Sequence, residues 1–573
     1  MQHPSYDYSV SLNRLSVTRL VIATALAFSI LTATGTHVPA NATSSTTVTF
    51  HYKQAVGDTR TWHMWIWEDG QNGHEFTFSS TDSFGKVLTV TYDHPVSQVG
   101  FIVMTNAVDW VKDIPSNRFV SITGPSAEVW LRGHDAGTYL SPSDIGKPAA
   151  TYQPSWIKNA VLYEVNVRQF SQAGNFAGVT AQIPRLKSLG VDILWLMPIH
   201  PIGQAHRLGS LGSPYSVANY TDVNSEYGNM ADFQALIAAA HRAGMHVILD
   251  WVGNHTAWDN PWITAHPEWY THDGSGNIIP PNSDWTDVAD LNYGNTDMQN
   301  AMIAAMKFWV QAKGIDGFRA DAASMVPTSF WNRAAKEINA IKPVYWLAED
   351  WDHSDLLTNA FLSNYDGALT GYMESVARGT ASKTSFQDLI TRRASWYPSG
   401  AIPMNYVTNH DLNAGATEMS RMGSGLNQAA ALSFTAAGIP MIYTGQEICY
   451  NHRFAFFEHD PITWSASSCT ALYKKLISLK TRNAALWNGS FGGQMKAIAT
   501  NNPKVVAFKR LKGTNSVIVV MNISSSTQSA TVTTGLLTKT YQRFSNGKGA
   551  KFGNIVRQSL APYGYEIFST AGQ

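Results

Sequence analysis

Between Val161 and Tyr443 the chain repeats one pattern, a short apolar run followed by a helical stretch. The runs are Val161 to Val165, Ile193 to Met197, His246 to Asp250, Gly317 to Asp321, Val344 to Glu349, Asp366 to Leu369, Met404 to Asn409 and Ile439 to Tyr443. Apolar strands alternating with helices specify a parallel sheet joined by crossover helices. Eight such units close into a (β/α)8 barrel, which predicts a barrel over residues 154–488. Chemistry in that fold sits at the C-terminal strand ends. Polar residues fall at those ends here: Asn254 and His255 after the third run, Asp321 on the fourth, Glu349 on the fifth, His410 and Asp411 after the seventh. Carboxylates from three strands should therefore converge on one mouth.

The fourth run is the most informative. Met302, Ile303, Met306, Trp309 and Val310 recur at helical spacing over Met298 to Lys313, and Gly314 ends that helix. In the strand that follows, a period of two puts Arg319 and Asp321 on one face. A guanidinium beside a carboxyl favours its ionised form, so Asp321 is expected to have a low pKa and to serve as a nucleophile. An isolated Arg-x-Asp is as readily a structural ion pair. Carboxyls on the neighbouring strand ends tip the reading towards catalysis, with one carboxylate as nucleophile and a second carboxyl as acid/base. Glu349, as the acid, should carry a raised pKa.

The flanks differ from the barrel. Arg14 and Arg19 precede the apolar run Leu20 to Leu31, and Ala40-Asn41-Ala42 offers small residues for cleavage. Residues 1–42 thus read as a signal peptide of a secreted protein, with a retained signal anchor as the alternative. Residues 46–150 read as a β-sandwich in which Trp65 and Trp67 share a strand face; core packing and a sugar platform both fit that pair. Residues 489–573 read as a C-terminal β-sandwich. Basic and acidic residues balance at 41 each, so no nucleic-acid partner is implied. Charged residues make up only 14% while the chain carries 19 Trp, a surface suited to stacking on sugar rings. Cys449 and Cys469 could pair outside the cell or remain free thiols. No membrane partner is expected beyond the leader, and a monomer is expected.

Asp250-Trp251-Val252-Gly253-Asn254-His255, Gly317-Phe318-Arg319-Ala320-Asp321, Ala348-Glu349-Asp350 and Thr408-Asn409-His410-Asp411 resemble the four signature regions of glycoside hydrolase family 13, the α-amylase family. Asp290-Leu291-Asn292 resembles its fifth region, and Tyr163-Glu164-Val165 and Gly445-Gln446-Glu447 fit as well. The resemblance implies Asp321 as nucleophile, Glu349 as acid/base and Asp411 as the third carboxylate. It also implies substrate contacts from Arg319, His255, His410 and Tyr215, and a small inserted loop domain over residues 256–295. A structural calcium is implied at Asn254, Asp290 and the backbone carbonyl of Met325. Ser324 and Met325 stand where many members carry Lys-His, which leaves the leaving-group side open to question.

His51-Tyr52, Trp65-Ile66-Trp67, Phe84-Gly85-Lys86-Val87, Gly100-Phe101-Ile102-Val103 and Trp110-Val111-Lys112-Asp113 resemble the family 41 carbohydrate-binding modules. That implies α-glucan binding by Trp65, Trp67, Trp110, Lys112 and Asp113. The expected function is a secreted endo-acting α-amylase on starch, glycogen and maltooligosaccharides. The alternatives are a pullulanase, a neopullulanase or cyclodextrin hydrolase, a glucan-transferring enzyme, and a starch-binding protein with a dead barrel. Pullulanases carry a Tyr-Asn-Trp-Gly-Tyr type motif where this chain has Gly212-Ser213-Pro214-Tyr215-Ser216-Val217. Asn254-His255-Thr256 is also a glycosylation sequon, and a glycan there would block the site, so a host that leaves it bare is expected.

Overall fold

The computed structural model describes residues 45–571 apart from 56–57, 69–70, 115–116, 123, 134, 136 and 143–152. The proposed signal peptide lies outside the described residues. Among them, no helix is long and apolar enough to cross a membrane.

The centre of the molecule is an eight-stranded parallel sheet. In chain order its strands are Leu162–Val165, Ile193–Leu196, His246–Trp251, Gly317–Ala320, Tyr345–Ala348, Ser363–Asn364, Met404–Asn405 and Ile439–Tyr443. First and last strands pair, and a parallel bridge from Tyr365 to Met404 brings the sixth and seventh together, so the sheet closes into a (β/α)8 barrel. Nearly every strand residue is buried, because a barrel strand faces helices on one side and packed side chains on the other. That is why the sequence shows continuous apolar runs.

Two predicted strands need correction. Asp366 to Leu369 is not the sixth strand: Asp366 caps the helix Gly367–Ala377, its carboxylate accepting from the Leu369 N–H, and pairs with Arg393. The strand is the dipeptide Ser363–Asn364 just before it. The seventh strand stops at Asn405, because Asn409 caps a new helix, His410–Gly415. The helix before the fourth strand runs Thr296–Ala312, and Gly314 takes the left-handed conformation (φ +78°) that turns the chain into the strand. Residues 256–295 form a small loop region built on the ribbon His255–Ala257 with Val288–Asp290.

The N-terminal module stacks two four-stranded sheets over a core of Val48, Phe50, Met64, Ile66, Phe101 and Val129. Its sheet His74–Thr77, His63–Glu68, Gln98–Met104, Arg118–Ser121 faces the barrel at one edge, where Arg118–Ser121 packs on the barrel helix Thr328–Asn339. The C-terminal region is all-β, with a six-stranded and a three-stranded sheet. Gln428 ties it to the barrel by donating to the Asn522 carbonyl. Cys449 and Cys469 are disulfide-bonded and so close the loop that follows the last barrel strand.

Candidate active site

Arg319 organises the site. Fully buried on the fourth strand, it contacts Asp250 at 2.7 Å, Asp321 at 2.9 Å and Glu349 at 2.8 Å, and its Nε donates to the Tyr365 hydroxyl. One planar fork thus meets carboxyls from strands three, four and five, which is the geometry guanidinium suits. The strand ladder sets their heights: the Asp321 N–H donates to the Trp251 carbonyl, and the Glu349 N–H to the Ala320 carbonyl, both at 2.9 Å. After Asp321 the backbone turns sharply, with Ala322 at φ +42°. The strained turn aims the Ala322 N–H at Glu349 Oε2, 2.8 Å away.

Three buried carboxyls share one cation, and this overturns the expected low pKa of Asp321. Asp321 is held up at about 6: burial raises it most, Arg319 pulls it down, and Asp250 and Asp411 raise it again. Asp250 also rises to about 6, again chiefly through burial. Glu349 is pushed highest, to about 7, by burial and by repulsion from Asp321 and Asp411, with Arg319 opposing. Desolvation outweighs one neighbouring charge because that charge is divided among three partners. The cluster titrates as a unit, with Glu349 held furthest above the usual carboxyl range.

A second network flanks the first. His410 lies between Glu164, 2.5 Å from its Nδ1, and Asp411, 3.3 Å from its Nε2. Burial disfavours its charge, but Asp411 and Glu164 more than offset this and raise it to about 9. The Tyr215 hydroxyl lies 2.8 Å from His410 Nε2 and donates to Asp250 Oδ2, and the Tyr215 ring stacks on the imidazole at 5.4 Å. Asp411 is open on its other side, its side chain 54% exposed. His255 stands in the ribbon wall, hydrogen-bonded to the Tyr215 backbone and edge-on to Trp285, and burial lowers it to about 4, so it is neutral.

This arrangement, a carboxyl of raised pKa beside a second carboxyl on one arginine at the mouth of a parallel barrel, agrees with the match of residues 165–500 to the family model for the alpha amylase catalytic domain. The chain belongs to the α-amylase family, glycoside hydrolase family 13. Residues 498–562 match the alpha amylase C-terminal all-beta domain, and residues 46–140 match the bacterial pullanase-associated domain. The N-terminal region is thus a pullulanase-associated domain. Alpha-amylase 3 of Dictyoglomus thermophilum is 26% identical over 65% of this chain and 86% of its own length. A cyclomaltodextrinase of Thermoanaerobacter pseudethanolicus is 24% identical over 66% and 73%. Among solved structures, an alpha-amylase from Lactobacillus plantarum is 32% identical, with a TM-score of 0.65 over 73% of this chain and all of that one. A noncanonic maltogenic alpha-amylase from Thermotoga neapolitana is 27% identical, with a TM-score of 0.66 over 72% and 99%.

The family barrel here gives roles to residues that the motifs contained without one, and to others outside them. Asp250 holds Arg319, Tyr215 and the Trp195 indole N–H at once. Glu164 orients His410. Trp351, two residues past Glu349, is 37% exposed and donates to the Tyr406 hydroxyl. Phe456, on the disulfide-closed loop, stacks on Tyr215 at 6.3 Å. The signal for Asp250 and Glu164 lay in their places near strand ends, and that for Trp351 in the loop after the fifth strand.

In the N-terminal domain, Trp65 and Trp67 point outward, with Met64 and Ile66 turned into the core. Trp110 is 39% exposed and meets Trp65 edge-on at 5.1 Å. Lys112 is half-buried and donates to Asn117. Asp113 is buried against Arg118, so it braces the strand Arg118–Ser121 instead of presenting a free carboxylate to a ligand. Asn254 is buried, which closes its sequon to glycan attachment in the folded protein.

Asn254 directly precedes the ribbon strand His255–Ala257 and Asp290 ends its partner strand, the Leu291 N–H donating to the Asn254 carbonyl. Asp290 is hydrogen-bonded to the Thr271 side chain, and the carboxylate and amide offer oxygens, so in kind they fit a hard cation. No cluster of three or more acidic, His or Cys ligands joins them among the described residues. Met325 ends the turn Ala323–Met325 and is 45% exposed, at the place where the Lys-His pair is missing.

Proposed function

We propose that this chain is a retaining, endo-acting α-1,4-glucan hydrolase. The single observation behind this is the shared contact of Asp321 and Glu349 with Arg319, the carboxyl of higher pKa sitting on strand five. Asp321 attacks the anomeric carbon while Glu349 gives its proton to the departing glycosidic oxygen. Glu349, now a carboxylate, takes a proton from water, and the hydroxide oxygen displaces Asp321 from the sugar. Tyr215 and the charged His410 border the sugar being cut, and Asp411 offers its open face to the ring hydroxyls. The presence of all three carboxylates argues against a purely binding role.

A second reading, cyclodextrin or pullulan hydrolysis, is favoured by likeness to a cyclomaltodextrinase and by Ser324 and Met325 standing in place of Lys-His. Incubation with amylose, β-cyclodextrin and pullulan separates the two. A rapid fall in amylose length with slow attack on the others supports the endo-amylase. Panose from pullulan, or faster cyclodextrin opening, replaces it with the second reading, and maltotriose from pullulan with a pullulanase.

Secretion is part of the proposal, supported by the leader sequence and by the disulfide. So is a calcium at Asn254 and Asp290 with the Met325 carbonyl, which would hold the strand-three loop beside the turn after Asp321. Chelation should then lower the melting temperature by a few degrees, by loss of ligand linkage; an unchanged value removes calcium from the account. The N-terminal domain is proposed to bind α-glucan through Trp65, Trp67 and Trp110.

A further inference from the structure

The outer face of the N-terminal domain's second sheet carries a row of aromatic rings. Trp67, Gly100 and Phe119 lie side by side in register on three adjacent strands. Gly100 has no side chain to hold the rings apart: a Cβ there would come within 2.2 Å of the Trp67 indole. Trp67 therefore lies down over the strand and meets Phe119 edge-on at 5.8 Å. Gly73 gives Trp65 the same kind of seat, with a Cβ there only 2.0 Å from the indole. Two indoles are thus set low on a flat face, each over a glycine.

At one end this row reaches the barrel. The Phe119 ring lies 4.4 Å from the imidazole of His353. His353 belongs to the loop that follows Glu349, and Asp350 fixes it by accepting from the His353 imidazole and from the backbone N–H groups of Asp352 and His353. Trp351, in the same loop, is edge-on to Tyr365, whose hydroxyl accepts from Arg319. At the other end the row runs outward through Trp65 to Trp110. Trp110 holds a left-handed backbone (φ +51°), costly for a bulky residue, in a turn whose Val108 and Asp109 N–H groups both donate to Asn106. Core packing does not explain an exposed indole on a strained backbone; presentation to a ligand does.

We infer that the aromatic face of the N-terminal domain continues the barrel's cleft, joined to it at Phe119 and His353, so that one α-glucan chain is held at Trp351 and at Trp67, Trp65 and Trp110 while it is cut. This rests on the α-glucan reading above. It makes the domain an extended subsite of the catalytic cleft; an independent anchor on the end of a linker would be a different device. Rings on a rigid face give contact area at low ordering cost, so a chain long enough to reach both sites gains affinity by being already tethered.

The test is kcat/KM for soluble linear maltooligosaccharides of increasing length, measured on the full chain and on Trp110→Ala and Phe119→Ala. Trp110 is exposed, so its variant should fold; thermal unfolding of both variants checks this. Wild type should gain efficiency steeply once chains span the joint. Trp110→Ala should lower the long-to-short ratio of kcat/KM about tenfold, mostly through KM. Phe119→Ala should lower the same ratio while granular starch is still bound, because the indoles remain and only the joint is lost. A ratio unchanged in both variants, with granule binding lost in Trp110→Ala, overturns the inference in favour of an independent anchor. Wild type that neither cuts nor binds any α-glucan overturns the functional reading itself, which is a different result.

Discussion

Replacing Asp250 with Asn changes one atom type and one charge at the centre of the site. Asp250 Oδ1 accepts from Arg319 at 2.7 Å, and Oδ2 accepts from Tyr215 at 3.1 Å and from the Trp195 indole at 3.0 Å. An Asn has one acceptor oxygen and a donor amide. If the oxygen stays on Arg319, the amide faces Trp195, which can only donate. One buried donor is then stranded, at a cost of roughly 1–3 kcal/mol, and Arg319 loses a partner in its carboxyl array. If that cost falls on the active geometry, kcat/KM drops about ten- to a hundredfold.

The charge change gives the sharper signature. Asp250 is one of the charges that push Asp321 up to about 6, so removing it should lower the acid limb of the pH–rate profile. Two charges sharing a buried site interact by about one pKa unit or more, ~1.4 kcal/mol. Activity requires Asp321 ionised and Glu349 protonated, so it rises as pH passes the Asp321 value and falls as pH passes the Glu349 value of about 7. In Asp250→Asn the acid limb should move down by about one unit. The assay is kcat/KM on a soluble maltooligosaccharide from pH 4 to 9, with unfolding followed in parallel. A slower enzyme whose acid limb has not moved would refute the picture of three carboxyls sharing one cation.

Glu164→Gln should lower the His410 pKa from about 9, because one of its two carboxylate partners becomes neutral. The stability that charged His410 contributes is complete below its unfolded value and disappears as pH rises through the folded one, so the variant's deficit against wild type should be greatest near pH 6 and fade away by about pH 9; equal deficits at pH 6 and pH 10 would contradict this. Cys449→Ser with Cys469→Ser opens a loop closed over a sequence separation of 20, at a cost of about 3 kcal/mol, and loosens Phe456 over Tyr215. The variant should melt at a lower temperature with a raised KM; an unchanged KM would show that the loop holds its place without the bond.

Much of the barrel was legible because its strands are buried on both faces and so read as unbroken apolar runs. The sixth strand was not, since Ser363 and Asn364 are polar and only two residues long, and the apolar signal nearby belongs to a helix capped by Asp366. Arg319, Asp321 and Glu349 were readable as types at strand ends. Their pKa order was not, because it depends on burial and on how many carboxyls one guanidinium serves, and spacing reveals neither. Trp65 and Trp67 were visible as a pair by period two. The joint at Phe119 and His353 was not, for those residues are far apart in sequence and meet only when two domains pack. Asp113 was read as a ligand group because its neighbours looked like one; its burial against Arg118 comes from a partner five residues on.

The central claim is that Asp321 forms the bond to sugar and Glu349 moves the proton. Glu349→Gln incubated with an α-glucosyl fluoride, whose leaving group needs no acid, should accumulate a glycosyl-enzyme. Peptide mass mapping should find the sugar on Asp321, and wild type should release the α-anomer first. A sugar attached elsewhere, or first release of the β-anomer with no adduct, would contradict the account.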